Sequence, residues 1–184
     1  PPTGYLALCT SNLPDVAVIP SENFNTVTYS GTGGTQNISV GFQPDFTWFK
    51  SRSASRAHVL VDSVRGVTKE LISNTSAAEQ TSAADEDLTA FTSTGFTLGN
   101  VYNNSPNESG ASIVAWNWKL GGSAVSNSNG SATSQVSANV DAGISIATFT
   151  LPTTATTIGH GLSKAPELIF QKGRVSGSAW WTFA

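Results

Sequence analysis

The sequence predicts an all-β protein, and three observations support this prediction. Charged residues make up only 11% of the 184 residues, against the roughly 25% that is usual for soluble domains. Ser, Thr, Asn and Gly take their place, and this composition favours short strands joined by many turns. The other two observations are runs of alternating apolar and polar residues, and a segment that occurs twice along the chain.

The alternation of β-forming residues predicts a series of strands separated by turns. In residues 45–50, Phe46 and Trp48 share one face of the predicted strand and Phe49 lies on the other. Residues 76–87 lack an apolar stripe and are predicted to form a loop. The predicted strands are 24–29, 45–50, 57–62, 69–73, 112–119, 144–151, 167–172 and 179–183, together with a hairpin of 88–92 and 95–99.

An internal repeat is the most informative feature of the sequence. Residues 44–52, PDFTWFKSR, align with residues 166–174, PELIFQKGR, at an offset of 122 residues. Both segments begin with proline and an acid and keep Lys and Arg near their ends. Residues 28–30 match residues 148–150 at an offset of 120, which requires a two-residue difference in a loop. The repeat predicts one complete unit and the opening third of a second.

The predicted units are residues 21–120 and residues 140–184. Residues 1–20 contain four prolines and are predicted to be an extended connector from an upstream domain. Residues 121–139 are small and mostly polar, which is typical of a linker. Because the chain begins with two prolines and stops within an apolar run at 181–183, we expect it to be part of a longer polypeptide.

Charge and composition argue against several classes of function. The net charge is −3, and no basic cluster is present that would neutralise the phosphates of a nucleic acid. The single cysteine, Cys9, allows no intrachain disulfide. No apolar run approaches the roughly 20 residues that a transmembrane helix requires. We therefore expect a chain that neither binds nucleic acid nor inserts into a membrane.

Five segments together resemble a known family of repeats. They read GFQPDFTWFKSRS, HVLVDSVRGVTKELISNTSAAE, LTAFTSTGFTLGN, SIVAWNWK and IGHGLSKAPELIFQKGR. The set is similar to the concanavalin A-like (lectin/glucanase) repeat of large virion and tail-associated structural proteins of marine bacteriophages, and it covers residues 20–184. The resemblance implies an antiparallel two-sheet β-sandwich of the jelly-roll type, in tandem copies, displayed on a virion in a fibre-like or adhesin-like role.

The arrangement of carboxylates and histidines does not predict an enzyme. Glucanases of the resembled fold carry Glu-x-Asp-x-x-Glu on one strand, to provide an acid and a nucleophile, and no predicted strand here has that spacing. The acids of residues 85–87 are adjacent and lie in a predicted loop. His58 aligns with Trp180 in the repeat and is predicted to pack, whereas His160 is predicted to brace a turn. We predict no catalytic and no metal-binding residues.

Five residues are predicted to contact a ligand. Tyr102, Asn103 and Asn104 lie in a polar loop, where an aromatic ring and amide groups suit the recognition of a sugar. Asp62 and Arg65, three residues apart before a glycine, suggest a buried ion pair that fixes a turn, although Arg65 could instead be presented to a ligand. We favour the turn-fixing role.

Two further predictions concern calcium and the tryptophans. Asp62, Asn103, Asn104 and Asn107 would supply oxygen ligands for calcium if their loops converge, but Asn-rich turns commonly have no metal. No other cofactor is predicted. The tryptophans on apolar strand faces are predicted to pack in the core; they are Trp48, Trp116 and Trp118.

The leading functional hypothesis is a non-enzymatic module on the outside of a phage virion. It would bind host-surface polysaccharide or act as a spacer in a tail fibre. The second hypothesis is a purely architectural subunit, for self-assembly or for capsid and tail decoration, whose partners are other virion proteins and copies of itself. The third is a glycan hydrolase, which requires two carboxylates that converge in a cleft.

Overall fold

The computed structural model describes residue 3, residues 18–102 and residues 106–184, and these are almost entirely β. They contain one four-residue helix and fourteen strands, so the predicted all-β class is confirmed. The elements are α1 (Pro20–Asn23), β1 (Phe24–Ser30), β2 (Gln36–Ser39), β3 (Phe46–Ser51), β4 (Val59–Asp62), β5 (Lys69–Ile72), β6 (Gln80–Thr81), β7 (Leu88–Thr92), β8 (Gly95–Leu98), β9 (Ser112–Trp118), β10 (Val125–Asn127), β11 (Ser134–Asn139), β12 (Ile144–Phe149), β13 (Ile169–Lys172) and β14 (Trp180–Phe183).

Two antiparallel sheets enclose the main core. A six-stranded sheet has the order β1-β9-β3-β4-β5-β6, and a three-stranded sheet has the order β2-β8-β7. Strands β7 and β8 form the hairpin that the sequence predicts. Phe49 and Ile113 from the larger sheet join Leu88, Phe96 and Leu98 from the smaller one in a single buried cluster. The rings of Phe49 and Phe96 meet edge to face, with their centroids 5.4 Å apart.

Strand β3 alternates as predicted, but the side that faces the core is the opposite of the predicted one. Thr47 and Phe49 point into the core and are at most 1% exposed, whereas Phe46 and Trp48 lie half-buried on the outer side. Trp116 on β9 likewise faces outward. A period of two residues tells which side chains share a face, and the position of the covering sheet decides which face is inside. The prediction that Trp48, Trp116 and Trp118 pack in the core is therefore wrong.

The segment predicted as a linker contains two strands. Strands β10 and β11 fall within residues 121–139 and form a three-stranded sheet with β12. Small residues permit close contact between backbones here: a Cβ atom on Gly121 would lie 2.4 Å from the Ala138 carbonyl oxygen. Val136 of β11 is 2% exposed. The glycine- and serine-rich composition that is typical of a flexible linker here serves close packing.

The hairpin of β13 and β14 has the same register as that of β3 and β4. Phe170 lies opposite Thr182, as Trp48 lies opposite Leu60, at the offset of 122 residues found in the sequence. The structure thus places both aligned segments in the first strand of a hairpin with the same cross-strand register.

A lysine contact also occurs in both hairpins, although their surroundings differ. The Nζ atom of Lys50 donates to the carbonyl oxygen of Arg56, and that of Lys172 donates to the carbonyl oxygen of Ser178. In contrast, Phe170 is 62% exposed, while Trp48, which aligns with it on β3, is half-buried. Strand β3 has β9 as a neighbour, and β13 pairs only with β14 among the described residues.

The hairpin of β13 and β14 contacts the six-stranded sheet. The indole Nε1 of Trp180 donates to the carbonyl oxygen of Ile72 at 3.0 Å. Arg174 binds both carboxylate oxygens of Glu79, at 2.7 and 2.8 Å. These contacts join residues of the predicted second unit to the end of β5 and the loop after it.

Most of the predicted connector, residues 1–20, lies outside the described residues, and α1 begins at its last residue. In the described ranges, no helix combines the length and the apolar character needed to cross a bilayer.

Two phenylalanines that the sequence places in apolar strands should respond differently to truncation. Phe49 is 1% exposed in the core and Phe170 is 62% exposed. We expect Phe49→Ala to lower the free energy of unfolding by about 3–5 kcal/mol, because it leaves a cavity, and Phe170→Ala to change it by about 0.5 kcal/mol or less. Urea denaturation measures both, and equal losses in the two variants would contradict the described core.

Candidate functional site

The outer surface of the six-stranded sheet carries five aromatic side chains on three neighbouring strands. Residues that pair across antiparallel strands point to the same side of a sheet. The register of β1, β9 and β3 therefore places three rings in one row and two tryptophans in the next. We name this surface the aromatic face, and it consists of Phe24, Trp118 and Phe46 in the first row and Trp116 and Trp48 in the second.

The rings of the aromatic face contact one another. Phe24 and Trp118 have centroids 5.0 Å apart and tilted by 49°, and Phe46 stacks on the other side of Trp118 at 5.0 Å and 25°. Trp48 and Trp116 meet edge to face at 6.0 Å. Phe24 is 40% exposed and the other four are half-buried. Aromatic pairs with this geometry stabilise each other, so the rings form a rigid platform that solvent can reach.

Neutral hydroxyl groups and one cation border the aromatic face. Thr26 and Thr28 are exposed on β1 and lie opposite Trp116 and Val114, on the same side of the sheet. Lys50 lies opposite Val114 on the other flank of β9. The surface therefore combines apolar rings with hydroxyl donors and little net charge.

His58 lies at one end of the aromatic face, next to Trp48. The indole Nε1 of Trp48 donates to Nδ1 of His58 at 3.1 Å, and the two rings meet edge to face at 5.9 Å. This hydrogen bond requires a neutral imidazole whose proton is on Nε2. Burial, and then the positive charge of Lys50, lower the pKa of His58. His58 therefore packs against an aromatic ring, as its alignment with Trp180 predicts.

The predicted ligand residues Asp62 and Arg65 form a buried ion pair. Both side chains are 4% exposed, and Arg65 Nε donates to Asp62 Oδ2 at 2.6 Å. The Arg65 backbone N–H donates to the other carboxylate oxygen at 2.8 Å. Its two terminal nitrogens bind the carbonyl oxygens of Leu60 and Lys69, and one also reaches Glu79 at 3.2 Å. These contacts fix the turn between β4 and β5 and leave the guanidinium directed into the chain.

Of the remaining predicted ligand residues, the structure describes Tyr102 alone. Tyr102 is half-buried, and its backbone N–H donates to Asp87 Oδ1 at 3.1 Å. Asn103 and Asn104 lie outside the described residues. Tyr102 makes no hydrogen bond with Asp62 or Arg65, so the predicted residues are not brought together into one site within the part of the chain that the structure describes.

Asn107, one of the predicted calcium ligands, is 0% exposed and engaged with the protein. Its Nδ2 donates to the carbonyl oxygens of Gly34 and Gly99 at 2.6 and 2.5 Å, and its Oδ1 accepts from the Thr32 N–H at 3.0 Å. Because these bonds and the Asp62 ion pair occupy the oxygens, the predicted calcium set gains no support from its described members. His160 accepts the Leu162 N–H at 3.1 Å and braces its turn as predicted.

A family model described as "Domain of unknown function (DUF7483)" matches residues 19–184. The chain belongs to the DUF7483 family. The matched range of this DUF7483 chain contains every helix and strand that the structure describes, including the aromatic face and both hairpins. Comparison of the DUF7483 chain with curated proteins and with solved structures finds no match.

The contact between Trp48 and His58 predicts a pH dependence for the DUF7483 chain. Because the pKa of His58 is lowered on folding, its contribution to stability is complete above the ordinary histidine pKa of about 6.5 and is lost as the pH falls below it. We expect His58→Phe, which keeps a ring against Trp48, to lose less free energy of unfolding than the wild type between pH 8 and pH 5.5.

The measurement is urea denaturation at several pH values, followed by tryptophan fluorescence. His160→Gln serves as the control, because it removes a histidine that does not contact the aromatic face, and it should keep the wild-type dependence. An identical loss on acidification in the wild type and in His58→Phe would show that His58 does not couple to folding.

Proposed function

We propose that this chain is a non-enzymatic module that binds polysaccharide through its aromatic face. The single observation that carries the proposal is the row of Phe24, Trp118 and Phe46 beside Trp116 and Trp48 on the outer side of the sheet. Five adjacent aromatic side chains are costly to leave in contact with water, since each exposes apolar area. A ligand with apolar faces and hydroxyl edges would cover them favourably.

The chemistry of the surface fits a neutral sugar chain better than a nucleic acid. Aromatic rings cover the C–H faces of pyranose rings, and the hydroxyls of Thr26 and Thr28 suit hydrogen bonds with sugar hydroxyls. Single-stranded nucleic acid would also stack on rings but requires a positively charged groove. Lys50 is the cation that the register places on this surface, and the chain has a net charge of −3.

The fold that best suits this function is a tandem array of jelly-roll sandwiches. Two observations support it: the two antiparallel sheets that enclose one core, and the second hairpin with the register of the first. The repeated contact from Lys50 to Arg56 and from Lys172 to Ser178 adds a side-chain interaction at the same offset.

The resemblance of the sequence to repeats of bacteriophage structural proteins supports a place on a virion. In that setting the polysaccharide would belong to the surface of the host cell, and the module would contribute to a tail fibre or another adhesive part of the particle. The partners would then be other virion proteins and copies of the same chain.

The carboxylates that meet in this chain are poorly placed for glycan hydrolysis. Glu70 and Asp87 are 0% and 1% exposed inside the core, where a polysaccharide does not reach. Asp62 is 3% exposed and bound to Arg65. A glycosidase requires two carboxyl groups on either side of a sugar bond, and these positions do not provide them.

A purely architectural role is the second candidate, because the second hairpin exposes apolar side chains on both of its faces. These belong to β13, β14 and the residue before β13, and they are 43–62% exposed. A second copy or another virion protein would bury them. They are Leu168, Ile169, Phe170, Trp181 and Phe183.

The test is a glycan array with the intact chain, followed by calorimetry on the polysaccharides that bind. We expect Trp48→Ala to weaken binding by about tenfold, because a lost aromatic stacking contact is worth about 1 kcal/mol or more. Trp181→Ala is the matched control, since it removes a 60% exposed tryptophan from the second hairpin, and it should bind as the wild type does.

Two outcomes would contradict the proposal. One is equal binding by Trp48→Ala and the wild type, which would place the sugar elsewhere on the chain. The other is the absence of binding across host polysaccharides together with self-association that Trp181→Ala abolishes, which would favour the architectural role. Circular dichroism of each variant checks that its fold is retained.

A further inference from the structure

Two carboxyl groups meet inside the core, away from the aromatic face. Glu70 lies on β5 and is 0% exposed, and Asp87 lies just before β7 and is 1% exposed. The two carboxyl groups are within hydrogen-bonding reach of each other. Strand β5 belongs to the six-stranded sheet and β7 to the three-stranded one, so the pair bridges the two sheets. Neither residue takes part in the proposed binding of polysaccharide.

Several buried oxygen atoms beside this pair have no donor. In the described part of the chain, Oε1 and Oε2 of Glu70 have no partner apart from the Asp87 carboxyl group, and Oε1 of Gln80 and Oγ of Ser82 have none. The register brings these atoms together, because Gln80 pairs directly with Glu70. Ser82 follows two residues later, and its backbone N–H continues the pairing by donating to the carbonyl oxygen of Thr68, so its side chain lies on the same face as that of Gln80. Buried polar atoms in folded proteins almost always have partners. This group of oxygens therefore indicates a place where a donor or a cation binds.

The charges around the pair are mostly negative. Burial, and then the neighbouring Asp87, raise the pKa of Glu70, and Glu86 adds to this effect. Arg65 acts in the opposite direction, but its guanidinium is engaged by Asp62, Glu79 and two carbonyl oxygens. A buried pair of carboxylates without a compensating charge destabilises the folded chain. Either a proton or a bound cation must therefore compensate the pair.

We propose that Glu70, Asp87, Gln80 and Ser82 form a binding site for a hard divalent cation of the size of Ca²⁺. The side chains offer oxygen atoms only, and Ca²⁺ prefers six to eight oxygen ligands from carboxylates, amides, carbonyls and water. Softer transition metals select imidazole or thiolate ligands, which this site lacks. The two carboxylates match the charge of one divalent ion.

The site contains two acidic side chains, fewer than the three His, Cys, Asp or Glu ligands of a typical metal cluster. Within the described residues, no group of three His, Cys, Asp or Glu side chains is placed to hold a metal. Here two of the four ligands are neutral, namely an amide and a hydroxyl. Ca²⁺ accepts such ligands readily, and backbone carbonyls or water complete its coordination.

A cation at this position would join the two sheets. Asp87 has a φ of 49°, in the left-handed region that residues other than glycine rarely adopt, and such backbone strain is common at functional sites. Its Oδ1 also accepts the backbone N–H of Tyr102. The ion would therefore link β5, the start of β7 and the segment after β8, and its binding would stabilise the folded chain.

The test is a thermal unfolding series of the intact chain after chelation and then with added CaCl₂. At 100 times the dissociation constant we expect the midpoint of unfolding to rise by about 5–10 °C. In Glu70→Gln, which keeps the shape of the side chain but removes one charge, the rise should be absent. Glu167→Gln is the matched control, because Glu167 is exposed, and it should respond as the wild type does.

Terbium luminescence gives a second measurement that does not depend on stability. Tb³⁺ replaces Ca²⁺ in this measurement. Burial, and then the nearby charge of Asp87, raise the pKa of Tyr29, so excitation of Tyr29 should sensitise the emission of a Tb³⁺ ion bound at the site. We expect added Ca²⁺ to displace the signal and Glu70→Gln to lose it. An equal response of Glu70→Gln and the wild type, in either measurement, would overturn the proposal.

The proton alternative also has a distinct result. If a shared proton compensates the carboxylates, acidification from pH 8 to pH 6 should raise the midpoint of unfolding of the wild type, and CaCl₂ should not change it. That outcome would overturn the cation site and leave the proposed binding of polysaccharide unaffected, since the aromatic face lies on the other side of the sheet.

Discussion

The position of β9 between β1 and β3 is the constraint on which the rest of the structure depends. Its register with both neighbours turns Ala115 and Asn117 toward the core and Trp116 toward the outer surface. Asn117 accepts a hydrogen bond from Thr47 Oγ1 at 3.0 Å and donates to the carbonyl oxygen of Asn25 at 3.1 Å, so one buried amide joins all three strands. A shift of one residue in this register would bury the aromatic face and expose the core.

The sequence predicts most of the strands but misses β2, β6, β10 and β11, and it predicts the orientation of the strands poorly. Local alternation and turn residues identify β3, β4, β9 and the hairpin of β7 and β8, because these patterns depend on neighbours along the chain. Strand β9 carries large apolar residues on both sides, for example Ile113 and Trp116. Alternation alone then leaves the inner side open, and that choice depends on which face the smaller sheet covers.

The candidate sites show the same division between local and distant contacts. The pairing of Asp62 with Arg65 spans three residues and could be predicted from spacing alone. In contrast, Glu70 meets Asp87, and Phe24 meets Trp118, only after strands distant in the sequence are paired. The segment 121–139 makes the related point that small residues suit close packing as well as flexible linkers. Neither proposed site can therefore be recognised until the sheet topology is known.

The most direct test of this account is hydroxyl-radical footprinting of the native chain, read by mass spectrometry. The account predicts that Trp48 and Trp116 on the outer side are oxidised several times faster than Phe49 and Phe96 in the core, after correction for intrinsic reactivity. It also predicts that a bound polysaccharide protects the two tryptophans. Protection of both tryptophans in the free chain, together with oxidation of Phe49, would show that β3 and β9 face the opposite way and would contradict the account.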